Sequence, residues 1–169
     1  MVPVDEETRV IRGMFLIGCY TGLRRSDITT LKQREIIVKD GDWIIEKRMV
    51  KGGNIKVTKI RLNLSKLFSG KAIPILIEFL RPENDYVFGP QKNNTLRFCW
   101  KRFMGATGIQ KRFTFHSSRH TCGYLLAKKT GSPVVVQRIL HHAKIDMSMR
   151  YIHLANTEID DILEKVKWD

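Results

Sequence analysis

Four side chains in the C-terminal part of the chain have the chemistry to hold and attack a phosphate ester. They are His116 and Arg119 in His116-Ser117-Ser118-Arg119-His120, His142 in Leu140-His141-His142, and Tyr151 nine positions further on. An arginine presents a planar fork of donors that fits two phosphate oxygens at once. A histidine moves protons or donates hydrogen bonds near neutral pH, and a deprotonated phenol is a covalent nucleophile. Upstream, Arg24 lies in Thr21-Gly22-Leu23-Arg24-Arg25-Ser26-Asp27, and Lys51 opens Lys51-Gly52-Gly53-Asn54. A phosphodiester is ionised at neutral pH, so its attack requires cations on the non-bridging oxygens, where charge grows in the transition state. Two arginines supply them without a metal or cofactor.

The elements that must position these groups follow from periodicity and punctuation. Asp5, Glu6 and Glu7 favour a helix start, and Val10, Ile11, Met14, Phe15 and Ile17 continue at helical spacing to a stop at Thr21-Gly22. Ser26 or Asp27 is expected to cap the next helix, through Ile28 and Leu31, leaving Arg24 at the junction. From Glu35 to Leu64 the pattern turns to β: Ile36-Ile37-Val38, Trp43-Ile44-Ile45, then Ile55, Val57, Ile60 and Leu62. Turns at Asp40-Gly41 and around Gly52-Gly53-Asn54 make this a three-stranded antiparallel sheet, with Lys51 at a flexible tip.

After Ser65 the reading is helical, with helices from Pro74 to about Leu80 and from Asn94 to Met104. A helix capped by Ser117 runs to Lys129, and Ser132-Pro133 opens one through Leu140. A short helix carries Met147 to about His153, and Asn156 or Thr157 caps a last one through Val166. The fold class is α+β, mainly helical, in one domain over residues 1–169, with no linker and no repeat.

Composition names the partner. Thirty Lys and Arg against 17 Asp and Glu give a formal charge of +13, which calls for a polyanion or an anionic surface. No apolar run approaches a membrane span, so nucleic acid is favoured over lipid. The 60 residues from Tyr86 to Ile145 contain no carboxylate, yet hold Lys92, Arg97, Lys101, Arg102, Lys111, Arg112, Arg119, Lys128, Lys129, Arg138 and Lys144. Ordinary soluble surfaces intersperse both signs. Cys19, Cys99 and Cys122 are widely spaced in apolar contexts and read as buried thiols of a reducing cytoplasm. The N-terminus has no secretory signal pattern.

In order, Arg24, Lys51, His116-x-x-Arg119, His142 and Tyr151 resemble the catalytic domain of the tyrosine recombinase (phage integrase) family, whose order is Arg, Lys, His-x-x-Arg, His or Trp, then Tyr. The resemblance runs from about Thr8 to the C-terminus. It implies a recombinase or integrase of a mobile element that cuts DNA through Tyr151, forms a 3′-phosphotyrosyl link and exchanges strands through a Holliday junction. Arg24 and Arg119 then clamp the phosphate and lower the effective pKa of the phenol. His116 acts in acid/base steps, His142 donates to a non-bridging oxygen, and Lys51 protonates the leaving 5′ oxygen, with Lys47 and Lys56 on the same hairpin as alternatives.

His120 is expected to be a buried structural histidine, and Asp27 to hold Arg24 or cap its helix. His141 stands where the family has glycine; the nine-residue spacing to Tyr151 supports His142 for the role, with His141 sharing or replacing it as the alternative. The implied partners are double-stranded DNA, a homotetramer and accessory DNA-bending proteins; no membrane and no cofactor are implied. The segment from Asn156 to Trp168 docks on a neighbouring subunit or on its own core. The chain begins near the catalytic domain, without the N-terminal DNA-clamping domain that family members usually carry. The alternatives are a type IB topoisomerase and a non-catalytic DNA-binding module.

Overall fold

The computed structural model describes residues 5–51, 56–89, 93–111 and 113–163. The first helix, α1 (Glu6–Thr21), starts where the sequence places it, with the Asp5 carboxylate accepting from the Thr8 N–H at 2.7 Å. Ile11, Met14 and Ile17 form its buried stripe. It stops at Gly22, whose φ of 68° is the left-handed conformation that glycine adopts without a Cβ penalty. A Cβ at Gly22 would also fall 2.3 Å from Leu140 Cδ2, so this glycine lets the end of α1 approach a distant helix.

The short α2 (Arg25–Thr29) corrects one expectation: neither Ser26 nor Asp27 is its N-cap. Arg24 occupies that position in extended backbone, and the Asp27 carboxylate reaches back to accept the Arg24 N–H at 3.2 Å. A carboxylate at the third helical position does this as well as a cap side chain, because it satisfies an N–H that the helix leaves orphaned.

The sheet has the expected order, β1 (Ile36–Lys39), β2 (Asp42–Lys51) and β3 (Lys56–Asn63), all antiparallel. Asp40 and Gly41 carry φ of 52° and 79°, the pair of positive values that a tight hairpin turn matched to strand twist requires. The β2–β3 register runs from Ile44↔Asn63 to Lys51↔Lys56, so Lys51 is the last residue of β2. Its side chain, Ile55 and the expected turn at Gly52-Gly53-Asn54 lie outside the described residues. Lys47, by contrast, is 6 % exposed, and its ammonium is held by Glu35 Oε2 at 2.9 Å and the Thr30 carbonyl at 2.8 Å. That lysine is part of the fold.

The remaining helices are α3 (Ala72–Phe79), α4 (Asn93–Ala106), α5 (His116–Thr130), α6 (Pro133–Leu140) and α7 (Asp146–Leu163). Ser132 caps α6 by accepting from the Val135 N–H at 3.4 Å. Ser117 does not cap α5: its hydroxyl accepts from the Thr114 N–H at 3.2 Å, and the helix already begins at His116. The expected break near Asn156 is also absent, because α7 runs through it. Thr157 turns its hydroxyl onto the His153 carbonyl at 3.0 Å, a bond to its own helix that satisfies it without a new cap. Side chains beyond Thr157 and the segment after Leu163 lie outside the described residues.

Two apolar clusters result. The larger joins α1, the sheet, α3 and α4 around Met14, Ile17, Ile45, Ile60 and Leu76. The smaller joins α5, α6 and α7 around Cys122, Leu126, Val136, Leu140 and Ala155, and Ile139 packs against both. The cysteines are buried and free as expected, with burial pushing Cys19 up to about 11 and Cys122 to about 12. Among the described residues, no helix is long and apolar enough to cross a membrane.

Candidate active site

Arg119 ties the two clusters together. It is 6 % exposed, and its two terminal nitrogens donate to the Gly22 carbonyl at the end of α1 and the Leu140 carbonyl at the end of α6. Helix C-termini leave carbonyls without intrahelical donors and carry the negative end of the dipole, so a buried guanidinium is well placed there. Two of its five donors reach these carbonyls. The same guanidinium lines a cleft of about 760 Å³ that also receives Arg24, His116, His120, His142 and Tyr151. Five of the six expected site residues therefore converge; for the sixth, Lys51, the backbone is placed and the side chain is outside the described set.

Tyr151 comes from the second turn of α7 and is 9 % exposed. Its ring lies against Gly123 of α5, where a Cβ would sit 2.7 Å from both Cε1 and Cζ of the phenol. A glycine in mid-helix costs stability, and here it supplies the slot for the ring. The His142 ring stacks on the phenol, 6.1 Å between centroids and 9° from parallel. Its Nδ1 is held at 2.9 Å by the hydroxyl of Ser148, a fully buried residue in the first turn of α7. His141 also lines the cleft, at the end of α6 in the left-handed conformation (φ 49°) that glycine would take more easily. Among the described residues, His141 Nε2 is buried without a hydrogen-bond partner. Of the two histidines, His142 is the one stacked against the phenol.

His120 is not the buried structural histidine that was expected. It is exposed in the cleft, its Nδ1 lies 2.8 Å from the Tyr151 hydroxyl, and its ring meets His116 edge-on at 4.6 Å. The signal was present in the sequence: His120 follows His116 by four residues, and such residues share one face of a helix. Ser148 and Gly123 carried no comparable signal.

The electrostatics of the cleft are set by burial and by its clustered cations. Burial, and then the Arg24 charge, hold Arg119 below its ordinary range. Burial, then Arg119 and Arg24, push His142 down to about 4, and desolvation with the neighbouring cations lowers His116 and His141 too. Burial raises Asp27, with Arg24, Lys47 and Arg119 acting against the rise. Tyr151 reverses an expectation: its pKa is raised, because burial outweighs the pull of Arg119. The Tyr151 phenol is therefore held in its protonated form at neutral pH.

His142 makes folding stability depend on pH. Unfolded, it takes up a proton near 6.5; folded, only near 4, so protonation favours the unfolded state. The stability tied to this group is complete above pH 6.5 and lost as pH falls toward 4, by on the order of 2–3 kcal/mol. Urea denaturation at pH 7 and pH 4.5 should show a smaller loss for His142→Asn than for the wild type.

Of the basic block, Arg97, Lys101, Arg102, Lys111, Lys128, Lys129, Arg138 and Lys144 are exposed, while Lys92 and Arg112 lie outside the described residues. Arg102 is paired with Asp5 and Glu7.

Comparison with known proteins agrees with this fold. The sequence model of the phage integrase family matches residues 4–158. Transposase B from transposon Tn554 of Staphylococcus aureus (strain Mu50) is 26 % identical over 163 residues, covering 89 % of this chain and 26 % of the transposase. Tyrosine recombinase XerH of Helicobacter pylori is 24 % identical over 157 residues, covering 89 % of this chain and 42 % of the recombinase. Among solved structures, XerH recombinase bound to palindromic difH substrate in a post-cleavage complex superposes with a TM-score of 0.67 at 20 % identity, covering 96 % of this chain and 47 % of that one. The chain thus spans less than half the length of these relatives.

Proposed function

Because the chain belongs to the phage integrase family, we propose that it is the catalytic domain of a site-specific recombinase, which breaks and rejoins double-stranded DNA through Tyr151. The observation that carries this reading is the convergence of Arg24, Arg119 and His142 on the phenol of Tyr151 in one cleft of a strongly basic chain. A scissile phosphodiester bound there sets its non-bridging oxygens against the two guanidinium groups and the Nε2 of His142. The Tyr151 oxygen attacks phosphorus, the bond to the 5′ oxygen breaks, and the leaving oxygen takes a proton from Lys51. The 3′-phosphotyrosyl ester conserves the energy of the broken bond, so a 5′ hydroxyl from a second duplex can reverse the step and exchange strands.

Exchange of both strand pairs passes through a four-way junction and needs four protomers on two duplexes, with DNA-bending partners where the sites must be brought together. The relatives named as a transposase and a recombinase support strand exchange over simple relaxation of supercoils or passive binding. Such a protein works on DNA in the cytoplasm.

Covalent capture tests the reading. The protein is incubated with a pool of nicked duplexes of random sequence and denatured in detergent, and the DNA-linked peptide is mapped after proteolysis. The expected result is an adduct on the peptide that contains Tyr151. An adduct elsewhere, or none, overturns the proposal, and relaxation of a plasmid lacking any recovered site would identify a topoisomerase.

A further inference from the structure

The histidine nearest the nucleophile is not the one in the expected motif position. His116 opens α5 and faces His120, whereas His120 Nδ1 is 2.8 Å from the Tyr151 hydroxyl. The other histidine against the phenol, His142, meets it ring face to ring face and has its own Nδ1 engaged by Ser148 at 2.9 Å, which leaves no nitrogen of that edge for the phenolic proton. The slot at Gly123, one helical turn beyond His120, fixes the ring so that its hydroxyl points back along α5 toward His120. Building on the reading of the site as a strand-cleaving centre, we propose that His120 is the catalytic base that takes the Tyr151 proton during cleavage and returns it during rejoining.

The step balances. Neutral His120 carries its hydrogen on Nε2 and accepts the phenolic hydrogen bond at Nδ1. As the phenol oxygen bonds to phosphorus, its proton passes to Nδ1, giving an imidazolium, and the P–O5′ bond breaks with a proton delivered to the 5′ oxygen from elsewhere. In rejoining, the 5′ hydroxyl attacks phosphorus, and the departing Tyr151 oxygen takes the proton back from Nδ1. A base suited to this exchange is accessible to solvent, as His120 is, and does not itself hold the phosphate. Burial raises the Tyr151 pKa, which makes a partner for its proton necessary at neutral pH. The titratable and charged groups sharing the cleft with His120 are His116, Arg119 and Tyr124 on its own helix, Arg24 at the N-cap of α2, His141 and His142 after α6, and Arg150 and Tyr151 on α7.

Two substitutions separate proton transfer from positioning. His120→Asn keeps an acceptor where Nδ1 stood and cannot take a proton; His120→Ala removes both functions. On a nicked duplex, both variants should cleave on the order of 10²-fold more slowly than wild type at pH 7, with the deficit shrinking as pH rises and the phenol ionises unaided. Both should still bind DNA. A duplex with a 5′-bridging phosphorothiolate, whose sulfur leaves without protonation, should not restore either variant, though it should restore Lys51→Ala.

His120→Asn at the wild-type rate would overturn the proposal in favour of positioning, and rescue by the phosphorothiolate would make His120 an acid. A wild type that forms no adduct on any duplex would overturn the reading of the site, and this role with it. Imidazole nitrogen resonances of the free protein give a readout independent of cleavage. The Nε2–H tautomer is expected for His120, with a signal that moves in Tyr151→Phe, and an Nδ1–H tautomer would overturn the role.

Discussion

Replacing Arg119 with alanine is expected to abolish strand cleavage and, in the same protein, to lower folding stability by on the order of 3 kcal/mol. The two effects share one cause. The guanidinium is buried and donates to the carbonyls of Gly22 and Leu140, so its loss leaves the ends of α1 and α6 with unsatisfied acceptors inside the protein. The same group lines the cleft, where on the proposed reading charge develops on the phosphate. Arg119→Lys should fail nearly as badly, because a single ammonium cannot span both carbonyls and still address the cleft. Urea denaturation of the free protein and covalent capture on nicked DNA measure the two losses. A variant inactive at wild-type stability would show that the carbonyl bonds contribute nothing to the fold.

Tyr151→Phe separates the same two quantities in the opposite way. No covalent adduct should form at any pH, while DNA binding is retained and stability changes by about 1 kcal/mol or less. The phenylalanine ring fills the slot at Gly123 and keeps its stack against His142, so the apolar burial survives. What disappears is the hydroxyl and its hydrogen bond to His120. A denaturing gel of the reaction and a gel-shift titration check both halves. Any adduct retained by this variant would move the nucleophile to another residue.

Where the sequence alone was a good guide, the deciding physics was local. Asp5 and Gly22 bound α1 because capping and left-handed backbone are properties of single residues, and the Asp40-Gly41 turn fixed the first hairpin for the same reason. The convergence of Arg24, Arg119, His142 and Tyr151 was legible only through the resemblance, since spacing along the chain says nothing about which helices meet. His120 was misjudged because its value depends on where Tyr151 lands, 31 residues away on another helix. Asn156-Thr157 looked like a cap and is helix interior, because a threonine hydroxyl is satisfied equally well by the carbonyl of the preceding turn. The rise in the Tyr151 pKa was invisible for a different reason: motif order gives the charges, and burial, which outweighs them here, belongs to the folded state.

The bond from Arg119 to Gly22 spans 97 residues, and the bond to Leu140 adds the far side of α5. Loop-closure entropy makes contacts of such separation late events in folding. A chain that still lacks α6 and α7 holds both arginines and the Gly22 carbonyl, but neither the Leu140 carbonyl that completes the frame of Arg119 nor Tyr151. On the proposed reading, the ability to break DNA is thereby withheld until α6 and α7 have been made and have folded onto α5.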